Sequence, residues 1–215
     1  MSFLDYVSRN SERIVFLALQ HVQIVLLSVA LASVIAAGLA LLCDNHPRLR
    51  SVLLSVTGTL LTIPSFALFG LLIPILGLGL APSVVALTVY AVFPILRNTV
   101  TGLHSVDAAV LDAARGMGMR PGQQLRLVRL PLAWPVILNG IRVSTIMVVA
   151  IAAIGAAVRG PGLGELIFRG LARIGGANAL NEALSGVLGV VLIALALDLL
   201  FVLIGRLTTA RGLHV

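Results

Sequence analysis

The chain has 215 residues, of which 59% are hydrophobic and 11% charged, and its mean hydropathy of +1.10 excludes a soluble domain in favour of a multi-span membrane protein. The net charge of +7 comes from 15 arginines and no lysine. Arginine at span ends serves orientation and headgroup contact, so this charge does not imply a nucleic-acid partner.

Residues 1–20 form a polar, weakly amphipathic lead-in in which Arg9 and Arg13 are balanced by Asp5 and Glu12. It is not a cleaved signal, because the apolar run that follows is too long and no small-residue site ends it. The first span is expected over His21 to Cys43, with Ala30, Ser33, Ala37 and Ala40 as a stripe for close helix packing. The single Cys43 excludes an intrachain disulfide, and the leucines before it do not suit a lipidated cysteine. A short basic loop, Asp44 to Arg50, follows.

The second span, about Ser51 to Leu76, repeats Ser51, Ser55, Gly58, Thr62 and Ser65 at helical spacing, so one face is small and polar. That face either lines a water-filled path or forms a packing seam whose hydroxyls bond back to the helix. Pro64 and Pro74 predict kinks. After a turn over Gly77 to Pro82, the third span runs from about Ser83 to Gly102 and contains Tyr90. Ser55, Thr62, Ser65 and Tyr90 are the candidate path residues.

Next comes the longest interruption of the apolar sequence, Asp112 to Pro131, with Arg115, Arg120, Arg126 and Arg129 against one acid. Asp112, Ala113 and Ala114 are expected in the first turn of a short helix, where a carboxylate suits the helix dipole. Gly116, Gly118 and Pro121-Gly122 predict a bend and then a second short helix over Gln123 to Leu130, with Pro131 starting the next span. The segment reads either as an amphipathic linker at the membrane surface or as a docking element.

The fourth span is expected over Leu132 to Val158 and the fifth over Leu184 to Gly205, followed by a basic tail. Between them, residues 159–182 form a second non-membrane segment, external in this reading, with an amphipathic helix from about Leu163 to Arg173 lying on the membrane. Gly160 to Gly164 is a turn and not a phosphate loop. Arg142 and Asp198 lie inside the bilayer, roughly 16 and 12 Å from the cytoplasmic ends of their helices. Pairing would offset the cost of burying them, whether the pair holds two helices together or serves a substrate.

The offsets Asp112-Ala113-Ala114, Gly118 and Val128-Arg129-Leu130-Pro131 resemble the EAA loop of ABC importer permeases, with Asp112 for Glu and Val128 for Ile. Thr62 to Gly70, Phe93 to Thr99 and Gly162 to Gly170 resemble the permeases of the glycine betaine/carnitine/choline osmoprotectant branch. The resemblance runs from about His21 onward. It implies an all-α, MetI-like, type I importer fold in which one transmembrane domain, residues 21–215, has five transmembrane helices, with a cytoplasmic coupling loop, residues 104–131, between spans three and four. It also implies that Asp112, Ala113, Ala114, Gly118, Leu130 and Pro131 meet an ATPase. The implied partners are an ATP-binding subunit dimer, a second permease subunit, a separate extracytoplasmic substrate-binding protein and membrane lipid. No cofactor is expected in this chain, since a phosphate loop needs a lysine and ATP belongs to the partner.

Other chemistries fit less well. The four histidines show no metal-ligand spacing and no base accompanies a nucleophile, so neither a metal site nor an enzyme is expected. An ion-coupled secondary transporter is the competitor, disfavoured by the lack of a repeated half. With the coupling loop cytoplasmic, most arginines lie inside, which places the N-terminus outside a prokaryotic inner membrane.

Overall fold

The computed structural model describes residues 1–208, and all its regular elements are helical. Arg211 and His214 of the basic tail lie outside the described residues. A short α1, Phe3–Arg9, capped by the Ser2 hydroxyl, leads into α2, Ser11–Cys43. This helix starts well ahead of the expected His21. No glycine or proline interrupts it before Gly38, and Arg13 is held by Glu165 at 2.9 Å.

The packing face of α2 also differs from the expected stripe. Ala32, Ala36, Ala40 and Cys43 are buried, whereas Ala30 and Ala37 are exposed. Small residues occur on both sides of this helix, and contact with its neighbours decides which side is used.

The second span is broken rather than kinked. α3, Pro47–Leu61, and α4, Ser65–Leu76, meet at 96°. Pro64 lacks an N–H and disfavours helical geometry at Ile63, so the chain leaves the helix there and restarts at Ser65. Pro74, by contrast, is accommodated inside α4.

α5, Leu80–His104, is the centre of the bundle and packs on α2, α3, α4 and the later α8. After α6, Ala108–Gly116, and the single turn α7, Pro121–Gln124, the chain passes through a π turn, Leu125–Arg129, into α8, Leu130–Ile154. A 3-10 turn, Gly155–Val158, ends this run. Pro131 therefore does not begin a new helix: one continuous helical run extends over Pro121–Val158. The π turn absorbs the proline by shifting the hydrogen-bond register, with the Leu130 N–H donating to the Leu125 carbonyl.

α9, Gly164–Ala172, and α10, Ala179–Thr208, complete the fold. α9 does not simply lie on a membrane surface. Leu163 and Leu166 are fully buried, and a Cβ at Gly170 would sit 2.6 Å from the Ala179 carbonyl oxygen, so α9 is seated against α10.

Four helices are long and apolar enough to cross a membrane, and the α3–α4 pair makes a fifth crossing. Its ends show this: Arg50 at the start of α3 meets His104, while Gly79, just after α4, donates to the Val158 carbonyl at the opposite end of the bundle. One end thus gathers Asp44, Arg50, His104 and Arg129, together with a Trp134–Thr208 hydrogen bond of 2.7 Å. The other gathers Arg13, Glu165, Arg169, Arg173 and Glu182.

Candidate coupling segment and path face

The coupling segment is ordered by local hydrogen bonds. Asp107, not Asp112, caps α6, its carboxylate accepting from the Ala109 N–H at 2.8 Å. Asp112 falls in the middle of the helix and pairs with Arg115 at 3.1 Å. The helix starts earlier than expected, at Ala108, which leaves Asp112 in its interior.

Gly118 ends the helix with a positive φ of 79°. The Met119 N–H reaches back to the Ala114 carbonyl and the Gly118 N–H to that of Arg115, a Schellman closure. Gln123 then accepts from the Arg120 N–H at 2.9 Å, and Gln124 donates to the Met119 carbonyl at 2.8 Å.

Ala114 is buried beneath this turn, while Asp112, Ala113, Gly118 and Pro131 are exposed and Leu130 is half-buried. Val110, Ala113 and Met117 recur at helical spacing and all face outward, with Met117 71% exposed. An apolar stripe on a segment otherwise rich in arginine is a surface suited to a protein partner. Among the described residues α6 packs chiefly on α7.

Behind the segment lies an ionic cluster that sequence reading did not single out. Arg129 donates to both oxygens of Asp44, at 2.6 and 2.7 Å, and to the Leu103 carbonyl at 3.2 Å. His104 lies 3.6 Å from Asp44. The hydrogen bond from Arg129 holds the Asp44 carboxyl below the usual carboxylate range, against the opposing effect of burial. A signal was present: Asp44 is the one acid between Glu12 and Asp107.

Of the path candidates, Ser55 and Thr62 are exposed and Ser65 is half-buried in the single chain, on the outer side of the broken pair. Thr59 and Thr62 bond back to carbonyls one turn earlier. Tyr90 is 2% exposed, and its hydroxyl donates to the Ile63 carbonyl at 2.6 Å. It satisfies an acceptor freed by the break. Midway along their helices, Arg142 of α8 and Asp198 of α10, both partly exposed in the single chain, form a bidentate pair at 2.6 and 2.8 Å. His21 is buried, its Nε2 lying 3.0 Å from the Val149 carbonyl oxygen. Among the described residues no group of side chains could hold a metal.

Residues 24–211 match the family model described as binding-protein-dependent transport system inner membrane component. The choline transport system permease protein OpuBB of Bacillus subtilis (strain 168) is 33% identical, with 98% of this chain and 95% of that protein covered. The osmoprotectant import permease protein OsmW of Salmonella typhimurium is 36% identical over the full length of both. Among solved structures, a chain of the inward-facing MetNI methionine ABC transporter superposes with a TM-score of 0.79 at 25% identity, covering 92% of this chain and 96% of that one. An amino acid ABC transporter crystallised with histidines gives 0.76 at 19% identity, covering 96% and 98%, and shares the fold. With its helical bundle, the family match over residues 24–211 and full-length likeness to importer permeases, the chain belongs to the family of inner membrane components of binding-protein-dependent transport systems and is the permease subunit of an ABC importer.

Proposed function

We propose that this permease carries a small quaternary ammonium osmoprotectant, such as glycine betaine, choline or carnitine, into the cell. The observation that carries this reading is full-length similarity to OpuBB, OsmW and the glycine betaine/carnitine/choline permease OpuCB, at 32–36% identity. The permease works as one of a pair, a second copy or a similar chain, with the α3 hydroxyl face turned to a shared path. Irregular backbone at membrane depth is tolerated where it lines a cavity or is buried in protein, and the exposed break at Thr62 to Pro64 meets that condition only in such an assembly.

A dimer of ATPase subunits, which hold the ATP, engages the exposed Asp112, Ala113, Gly118 and Pro131 with half-buried Leu130 beside them. Ala114, expected to meet the ATPase, is buried and supports the turn from beneath. A separate binding protein delivers solute at the opposite end. Arg48, Arg50, Arg115, Arg120, Arg126, Arg129 and Arg206 gather at the coupling end. Arg9, Arg13, Arg159, Arg169 and Arg173 lie at the other end, partly offset by Asp5, Glu12, Glu165 and Glu182. This asymmetry supports a cytoplasmic coupling end and an external N-terminus.

The test is uptake of labelled glycine betaine, choline, carnitine and methionine into vesicles reconstituted with the permease, its ATPase and its binding protein. Uptake of a quaternary ammonium solute that requires ATP and the binding protein is expected. Methionine uptake alone would move the chain to an amino acid importer, and accumulation driven by an ion gradient without ATP would overturn the mechanism.

A further inference from the structure

The coupling segment is held to the bundle in an unusual way. Among the described residues α6 packs chiefly on α7, and a cleft of about 530 Å³, lined by Leu41, Asn45, Pro121, Gln124 and Leu125, separates the segment from the end of α2. At the edge of that cleft Arg129 reaches two different helices at once. It grips both oxygens of Asp44 at the end of α2 and the carbonyl of Leu103 in the last turn of α5. Its side chain is 17% exposed and that of Asp44 12%, so the bridge is largely shielded from water and from screening by salt. The fork geometry of a guanidinium on a carboxylate fixes orientation as well as distance. Arg129 is also the last residue of the π turn, so it sits where the arm bearing α7 joins the membrane-spanning part of α8.

We propose that Arg129 and Asp44 are positioning residues for transport: the bridge makes the end of α2 travel with the coupling segment, so that a push received at α6 reaches the first and third spans together. Without the bridge the arm can swing across the cleft while α2 stays behind. Neither residue touches solute, and the proposal holds for any solute the importer carries.

Spin labels test this directly. One is placed at Met117, exposed on the coupling segment, and one at Val34, exposed on α2, in a Cys43→Ala background of the complete transporter with its ATPases. Distances are measured by pulsed electron resonance without nucleotide and with ATP trapped by vanadate. The two labels keep their separation through the cycle in the parent protein, and they part on trapping in Arg129→Gln and in Asp44→Asn. Equal changes in parent and variants, or none in any of them despite trapping, overturn the proposal. The second readout is solute taken up per ATP hydrolysed, with glycine betaine as the probe. It falls roughly tenfold in Arg129→Gln, the scale of a typical coupling between sites, and recovers in part in Arg129→Lys. Parallel loss of uptake and hydrolysis with poor assembly would make the bridge merely structural. Failure of the parent protein to take up betaine would count against the solute assignment alone, since the distance measurement does not depend on it.

Discussion

Gly118 separates two demands that usually arrive together. Its φ of 79° disfavours side chains other than glycine and asparagine, yet no atom lies within 4 Å of a Cβ placed there. The cost of a larger residue within the chain is therefore backbone strain of about 1–2 kcal/mol, without a clash. Gly118→Asn is expected to insert and transport, and Gly118→Leu to insert but lose ATP-driven uptake if its side chain enters the space proposed for the ATPase. Wild-type uptake by Gly118→Leu would remove this residue from the ATPase contact. Asp44 makes a different prediction. Its folded pKa lies below the unfolded value of about 3.9, so its stabilising contribution is fully present above that pH. It is lost as pH falls through the depressed folded value. Heat unfolding in mild detergent should show no step from this group between about pH 5 and 8 and a loss in stronger acid. The Asp44→Asn variant should start less stable and lack that part of the acid loss.

At the scale of elements, the α3–α4 break sets the problem and Tyr90 of α5 answers it. Breaking a helix within a membrane leaves carbonyls without partners, and the Tyr90 hydroxyl takes the one at Ile63. Tyr90→Phe removes the donor with little change of shape, so the expected loss is about 1 kcal/mol, the low end for an acceptor left unsatisfied, since Ile63 is half-buried. Unfolding in mixed micelles measures it, and an unchanged stability would mean that water or a second chain already serves Ile63. Elsewhere, close approach is set by glycines. A Cβ at Gly140 would lie 2.5 Å from Asn98 Cβ, and one at Gly186 would lie 2.9 Å from the Leu163 carbonyl oxygen. These contacts bring α8 onto α5 and α10 onto the start of α9.

Over the whole molecule, ionic ties join helices that are distant in sequence, Arg13–Glu165 between α2 and α9 among them. Arg129–Asp44 closes the coupling end, and Arg142–Asp198 joins α8 to α10 within the membrane. A charge left alone at membrane depth is costly, and the paired arrangement removes that cost. Arg142→Gln and Asp198→Asn should each lower the amount of folded protein, and the double variant should recover part of it. Normal yields of both single variants with loss of uptake alone would instead give the pair a role in transport. Outward from these ties α10 carries Leu192, Leu195, Leu199 and Leu203, all exposed in the single chain, a surface for lipid or for another subunit.

Much of this protein was legible from local chemistry. Hydropathy fixes how many segments can cross a membrane, because chain length and apolar content are properties of the segment itself. Gly118 was marked as a break in the helix, and it does supply the positive φ that the turn after α6 requires. Pro64 marked where the second span fails, although its 96° bend was not legible, since the angle depends on what α5 offers the freed backbone. The packing face of α2 was not legible either. In a membrane both the lipid side and the protein side of a helix are apolar, so periodicity cannot separate them. Ala32, Ala36 and Ala40 are chosen over Ala30 and Ala37 only by contact with other helices. The Asp44–Arg129 bridge spans 85 positions of the chain. An ion pair carries no local sequence period, so folding alone brings those two residues together.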